Sequence, residues 1–342
     1  MKNVDNGIFD RVIVNNDPDF TENVSSDISA NYVILCVENS NSDVRPMYET
    51  PICGLSLAEW VAMACEKKPV YITIGENENF VHLIKPYITP DTEYTVVLYA
   101  NTPLVSKTHL KDLLEYVSIK RLNVCKLKKG FILKNDYIID VDGIYSNLVY
   151  DLASNDFFEV NTLLDLDKIK GTLENRMYNF HKKNGVFIAN QDRTVIDANV
   201  KIGANSKISS GVSLLNSSIL AKNVTVLDNA VIINSRIDDG AYIGSGAIIE
   251  NSIIKSGSVI GNKSMVSGSV IGANVKIGLD AKIVSTAVKD GSFVDNFACL
   301  ENVSVSEDSK VGKACVIIGD GLTIVLDANS ETEAGSKIVK KG

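Results

Sequence analysis

The sequence predicts two architectures in series: a small α/β layer domain and, behind it, a left-handed parallel β-helix. Three observations carry this. Twenty-two positions from Ile196 to Ile317 are all Ile, Val or Leu, and sixteen of the twenty-one steps between them are six residues long. The other five steps are five residues long and begin at Ile232, Ile249, Val266, Ile283 and Leu300, so hexads come in threes with one corner shortened in each later coil. Ahead of this rhythm, residues 31–161 alternate strand-like and helix-like stretches. A hexapeptide period is the signature of a parallel β-helix, and three hexads per coil make it triangular. Left-handed coiling of this type is an exception to the right-handed crossover rule.

The elements follow in order. Residues 1–30 form a polar extension with one apolar patch, Ile8–Val14, expected as a strand or hairpin. Tyr32–Val37 is expected as a buried strand, Leu57–Cys65 as a helix, Val70–Ile74 and Tyr94–Tyr99 as further strands, and Lys107–Tyr116 as a second helix. Such alternation implies parallel strands covered by helices. Residues 162–185 change to one long connecting helix. Thr162 with Asp165 makes a variant capping box, Leu166, Ile169, Leu173, Met177 and Phe180 form an apolar stripe, and Asn184-Gly185 ends it. This helix is expected to pack across the first coils and join the domains. Residues 186–342 are the β-helix.

Hexad chemistry agrees with the shape. The aliphatic anchor points inward, and the residue after it is often glycine (Gly203, Gly244, Gly261, Gly272, Gly278, Gly312), expected to ease a tight corner. Four residues after the anchor stand small side chains such as Ser206, Val224, Ala241, Ser258, Ala281 and Ala298, where two sides of a thin triangle converge. At about 4.8 Å per coil, seven or so coils make a prism roughly 35 Å long. No proline follows Pro103, so no rung lacks a ladder donor on that account.

Composition bounds the function. The chain of 342 residues carries a net charge of −8, with 26 acidic and 19 basic residues in 1–185 and 16 acidic and 15 basic beyond. No basic face points to nucleic acid or to an anionic membrane. The six cysteines (36, 53, 65, 125, 299 and 315) lack metal-type spacing, which implies reduced thiols. With no signal-peptide core and no apolar run of spanning length, a cytoplasmic location is expected.

Two adjoining stretches carry a family resemblance. Glu159-Val160-Asn161, the amphipathic helix, Asn184–Ile188 and Thr194–Asp197 resemble the domain join of the bacterial bifunctional N-acetylglucosamine-1-phosphate uridyltransferase/glucosamine-1-phosphate acetyltransferase. Val294–Phe297, Ser309–Gly312 and Ile318-Gly319-Asp320 are similar to its acetyltransferase segment, and Val97–Val105 to its strand ending in Gly-Asp-x-Pro-Leu. The resemblance spans about residues 31–325. It implies a Rossmann-like, nucleotidyltransferase-type α/β domain, here reduced, ahead of the left-handed β-helix, and a homotrimer packed through β-helix faces. Outward Leu215, Leu227, Ile233, Val284 and Ile318 are the candidate contacts.

The same resemblance marks what is missing. The family's Gly-rich phosphate turn falls on Leu35–Ser42, which has no glycine, and Glu38 adds repulsion to any phosphate there. Arg45 occupies the family's arginine position, and Pro46-Met47-Tyr48 offers no lysine. The family's Mg²⁺ ligands fall on Asn101 and Asn161, two neutral amides where Mg²⁺ wants carboxylate oxygen; a turn and a helix cap explain them as well. Arg45, Asn101 and Asn161 are thus the nucleotide- and sugar-binding candidates by position.

In the β-helix the acyl-acceptor position falls on Asn296, Lys310 and Lys313. The family's sugar-phosphate lysine becomes Glu301, its catalytic histidine Lys313, the tyrosine three residues on Val316, and a further arginine Val284. His82, His109 and His181 all precede the β-helix, so no imidazole base comes from it. Other candidates have plain alternatives. Glu49, Glu59, Glu66 and His82 form no constellation, Asp140 and Asp142 suit a strand-to-turn junction, and Arg236 is expected to point outward. Lys337, Lys340 and Lys341 are expected as an untethered tail, although they are placed to touch a coenzyme A phosphate.

The sequence therefore assigns no catalytic residue and no metal. It points to a catalytically degenerate binding or scaffold protein of amino-sugar nucleotide metabolism. Two alternatives stay open: an active nucleotidyl- or acyltransferase with altered residues, using Mg²⁺ or acetyl-CoA, and a regulatory subunit of an active nucleotidyltransferase partner.

Overall fold

The structure is a computed structural model that describes residues 28–38, 46–75, 78–89, 91–144 and 155–342. The Ile8–Val14 patch and Arg45 lie outside the described residues. The chain divides into two compact units, Met1–Glu174 and Asn175–Gly342.

The first unit is built on a five-stranded sheet. Its strands are β1 (Ala30–Val37), β4 (Val70–Ile74), β5 (Tyr94–Tyr99), β6 (Val124–Leu127) and β7 (Gly130–Lys134), while β2 (Pro51–Ile52) and β3 (Leu55–Ser56) form a separate hairpin. The order is β4-β1-β5-β7-β6. β1 runs parallel to β4 and β5, as the apolar runs predict. The expectation of a parallel layer needs a correction, because β7 is antiparallel to both β5 and β6. Lys126, Lys128 and Lys129 crowd that hairpin and disguise it as a solvated charge run, yet Cys125, Leu127, Ile132 and Leu133 are all buried. Helix Leu57–Met63 starts at a full capping box between Ser56 and Glu59. The helix expected over 107–116 runs to Lys120, where Arg121 adopts a left-handed conformation and ends it.

A long helix runs from Leu163 to Lys183. Asp165 Oδ2 accepts from the Thr162 backbone N–H at 3.1 Å, and Thr162 Oγ1 accepts from the Asp165 N–H at 3.3 Å. Lys168 and Thr162 hold the Asp165 carboxyl down at about 2. At the other end Gly185, with φ +79, donates to Lys182 O and Val186 donates to His181 O, a reciprocal C-terminal cap. In the second unit, Tyr178 of this helix joins the β-helix core and donates its hydroxyl to the Thr194 carbonyl.

The second unit is the three-sided β-helix. Its first face runs from Phe187–Ile188 to Lys310–Val311, its second from Val195–Ile196 to Lys337–Lys341, and its third from Lys201–Ile202 to Ile324–Leu326. They hold eight, nine and eight parallel strands. All twenty-two periodic positions are buried, none above 8% exposure, and they superimpose in columns. On the first face the inward column after Ile188 is Ile208, Val226, Ile243, Ile260, Ile277, Val294 and Val311. The predicted small residues are also buried, with Ser206, Val224, Ser258 and Ala298 at 0%.

Three expectations change. The stack is longer than seven coils: Phe187–Ile188 adds a rung at the start, and Ile324–Leu326 and Lys337–Lys341 add more past Ile317, where wider turns break the period. Lys337, Lys340 and Lys341 are no free tail, since Lys337–Lys341 pairs in parallel with Val316–Asp320. The glycines after the anchors serve close approach, not backbone freedom. A Cβ on Gly244 or Gly261 would lie 2.6 or 2.5 Å from the next coil's backbone. The left-handed conformation falls two residues later, on Asn205, Asn223, Asn229 and Asn274, and at the shortened corners one residue after the position that follows the anchor, on Asn234, Asn251, Ser285 and Asn302. Asparagine tolerates that conformation better than most residues.

The shortened corners carry a hydroxyl ladder that the hexad count did not reveal. Ser252 N–H donates to Ser235 Oγ at 3.1 Å, Ser269 N–H to Ser252 Oγ at 3.0 Å, and Thr286 N–H to Ser269 Oγ at 3.0 Å. Each hydroxyl in turn donates to the carbonyl two residues back, Ser252 to Glu250 at 2.7 Å. Dropping one residue per coil leaves no buried donor orphaned, because the side chain supplies the missing acceptor.

Candidate functional site

Two places gather the candidate residues. The first lies at the carboxyl ends of β1, β4 and β5, where open α/β sheets bind ligands. The Glu38 N–H donates to Ile74 O at 2.9 Å and the Ala100 N–H to Leu35 O at 2.9 Å, so both strand ends are held in register there. Asn101 follows directly. Its Nδ2 donates to Asn161 Oδ1 at 2.8 Å, and its carbonyl accepts the Val160 N–H at 2.8 Å. Sixty residues apart in sequence, the two amides are brought together and spend polar atoms on each other.

Their neighbours are equally engaged. Lys129 Nζ lies 2.9 Å from Glu159 Oε2 and 4.4 Å above the Tyr99 ring. Burial, and then Glu159, push the Tyr99 hydroxyl up. Nearby, burial and then Cys36, Glu49 and Glu38 raise the Tyr48 hydroxyl, and burial with Glu49 pushes the Cys36 thiol up to about 11. An edge faced by Glu38 and Glu49 repels phosphate. Mg²⁺ does not fit the amide pair: the donors are neutral and already hydrogen-bonded to each other, and no cluster of three metal-ligating side chains occurs among the described residues. Sequence reasoning missed Lys129 and Tyr99, because the hairpin that presents Lys129 was itself unread.

The second place is the corner between the first and second faces. Asn296 Oδ1 accepts the Leu279 N–H of the preceding coil at 2.7 Å. Asn262 makes the same bond to Ser245 at 2.9 Å and Asp228 to Ser210 at 3.0 Å, so Asn296 serves the corner's architecture. Lys313 Nζ lies 5.8 Å from the Phe297 ring centroid. Phe297 is 47% exposed and holds φ +62, and Ala314 on the next coil holds φ +55. Asn229, Gly246, Lys263 and Asp280 fill the same corner in earlier coils, and Phe297 and Ala314 are two residues poorly suited to the left-handed region that follow one another there. Lys310 is exposed on the last rung of the first face, its N–H donating to Ser330 O at 2.8 Å.

Elsewhere, Asp156 Oδ2 lies 2.8 Å from His109 Nδ1 and accepts from Ser106 Oγ at 3.1 Å. A nucleophile relay needs the imidazole between serine and carboxylate; here the carboxylate stands in the middle, which makes a tie and no relay. Asp142 pairs with Lys85 at 3.4 Å, and Arg236 points outward to Asp238 at 2.7 Å. Glu49, Glu59, Glu66 and His82 are exposed.

A hexad-built, three-sided β-helix in a chain with a separate α/β sheet unit defines the structural class. Within it, the chain is a divergent relative of the bifunctional GlmU proteins. It is 25% identical over 182 residues to that of Listeria monocytogenes serotype 4a (strain HCC23), covering 50% of this chain and 40% of the relative. It is 27% identical over 159 residues to that of Clostridioides difficile (strain 630), covering 46% and 35%. The chain thus matches well under two thirds of the length of these relatives. No family profile matches it. Among solved structures, UDP-N-acetylglucosamine O-acyltransferase (LpxA) from Moraxella catarrhalis aligns with a TM-score of 0.23 at 19% identity, over 46% of this chain and 67% of that one. UDP-N-acetylglucosamine acyltransferase of Francisella novicida aligns with a TM-score of 0.20 at 22% identity, over 39% and 56%.

Proposed function

We propose that the protein is a catalytically degenerate homologue of sugar-phosphate nucleotidyltransferases and hexapeptide acyltransferases, acting as a binding or scaffold protein in amino-sugar nucleotide metabolism. One observation supports the reading: at both inherited positions the asparagines that replace or flank the family's reactive groups are hydrogen-bonded within the fold. Asn101 and Asn161 satisfy each other at 2.8 Å, and Asn296 accepts a backbone N–H at 2.7 Å. Lys313 rests beside Phe297, with no imidazole in the β-helix to act as base. Fold without its reactive groups supports assembly, not turnover.

The test is turnover of glucosamine 1-phosphate with acetyl-CoA and, separately, of N-acetylglucosamine 1-phosphate with UTP and Mg²⁺. Neither product is expected above a blank, and formation of either overturns the reading. Assembly belongs to the same proposal. Leu215, Ile233, Val284 and Ile318 all lie half-buried on the second face beside exposed Ile248 and Met265, while Leu227 lies on the first. Aliphatic side chains on this face, interleaved with Glu250, Ser267 and Glu301, suit a homotrimer, and a monomer mass by light scattering counts against it. No helix among the described residues is long and apolar enough to cross a membrane.

A further inference from the structure

The first face of the β-helix differs in chemistry from the other two. Its outward column contains Phe187, Tyr242 and Phe293 on every third rung, with Lys207, Lys276 and Lys310 between and beyond them. All three rings are exposed, at 63%, 40% and 37%. At about 4.8 Å per rung they stand roughly 14 Å apart. The outward columns of the second and third faces hold no ring: they run through Val231, Ile248, Met265 and Lys282, and through Arg236, Ile253 and Val270.

Two further features make this column a surface built for contact. The cations are unspent: none of the three lysines has an ion-pair partner among the described residues, whereas Arg236 and Lys289 on the third face are held by Asp238 and Glu307. No carboxylate stands in the column itself. Beside Tyr242, Val259 and Lys276 run Gly244, Gly261 and Gly278, each with the next coil's backbone 2.5–2.6 Å from where a Cβ would sit. On those three rungs the strip carries no side chain, whereas Ala189 and Asp295 stand beside Phe187 and Phe293. At the corner, Lys313 beside Phe297 repeats the ring-and-cation pairing.

We propose that this face binds an extended glycan that carries sparse negative groups. Exposed rings at intervals offer flat apolar platforms to the C–H faces of sugar rings, and polarised aromatic faces favour such contacts. Isolated lysines between them complement carboxylates or phosphates carried by some of the sugars. A nucleic acid strand fits less well. It brings one phosphate per nucleotide, three lysines over eight rungs neutralise few of them, and the chain's net charge of −8 repels a dense polyanion.

The experiment is isothermal titration of the full chain with three probes: a hyaluronan oligosaccharide, neutral cellohexaose and oligo(dT). Hyaluronan is expected to bind saturably, more tightly than the other two, and more weakly as salt rises. Phe187→Ser, Tyr242→Ser and Phe293→Ser together are expected to raise Kd by roughly tenfold or more. Lys207→Gln, Lys276→Gln and Lys310→Gln together are expected to weaken binding and flatten its salt dependence. All six side chains point outward, so circular dichroism and melting of both variants should match the parent. Absence of hyaluronan binding, indifference to either triple variant, or tighter binding of oligo(dT) overturns the proposal. So does a change of oligomeric state in the variants without glycan binding, which assigns the face to a second copy of the chain.

Discussion

Asn101 Nδ2 donates to Asn161 Oδ1 at 2.8 Å, tying the end of β5 to the residues that open the long helix. Two amides can meet in this way without any ion between them, whereas two carboxylates could not. Asn101→Ala removes one neutral, largely exposed hydrogen bond and is expected to cost about 0.5–1 kcal/mol, read by urea denaturation. Millimolar Mg²⁺ is expected to leave the melting temperature of the parent unchanged, because only a ligand of the folded state raises it. A Mg²⁺-dependent rise in melting temperature would show that the pair opens to a metal after all.

The hydroxyl ladder of the shortened corners gives a sharper test of what sets the seventeen-residue coil. Ser252→Ala takes away the acceptor of the Ser269 N–H at 3.0 Å and leaves that donor buried. An unsatisfied buried N–H costs about 1–3 kcal/mol. Ser252→Thr keeps the acceptor, as Thr286 does for the Val303 N–H at 3.2 Å, and is expected to fall within about 1 kcal/mol of the parent. Equal stability of the alanine and threonine variants in chemical denaturation would show the ladder to be incidental.

How much of this was legible depends on which physical signal each feature leaves. The β-helix was open to view because its anchors repeat as one residue class, and burial of Ile208, Ile243 and Ile260 follows from that period alone. The ladder left a trace in Ser235, Ser252, Ser269 and Thr286, which stand three residues after their anchors and so fall outside the row of small residues four after them. The hairpin of β6 and β7 was hidden because lysines dominate its turn, and tertiary pairing with β5 overrode that local polarity. At the candidate sites the sequence located Asn101, Asn161 and Asn296 but not their hydrogen bonds. Those depend on the approach of segments sixty and seventeen residues apart, which no local pattern encodes.

His181 supplies a pH signature. Its ring is 1% exposed, its Nδ1 has no hydrogen-bond partner, and burial lowers its pKa from 6.5 to about 4. The folded state therefore prefers the neutral ring. Its contribution is complete above pH 6.5 and is lost as pH falls through 6.5 towards 4. Between pH 7 and 5 the loss is about 2 kcal/mol, measured as a shift in the urea midpoint. Asp165, held at about 2, titrates below this window and does not confuse it. In His181→Leu that part of the slope is expected to vanish, and an unchanged slope would assign the acid sensitivity to another group.

Phe297 offers the last test, because its backbone and its side chain make opposite demands. At φ +62 a phenylalanine bears the crowding of its Cβ in the left-handed region, a cost of roughly 1–2 kcal/mol that asparagine partly avoids. The ring returns little: it is 47% exposed, and its contact with Lys313 at 5.8 Å is of the weak, solvated kind, about 0.5 kcal/mol. Asn229 occupies the same corner in an earlier coil. Phe297→Asn is therefore expected to stabilise the β-helix by about 0.5–1 kcal/mol in chemical denaturation. A gain would show that the ring is kept at a cost to the fold, as surfaces retained for contact with another molecule often are. A loss would show that Phe297 is needed by the fold itself, and the corner would then be architecture throughout, like Asn296 beside it.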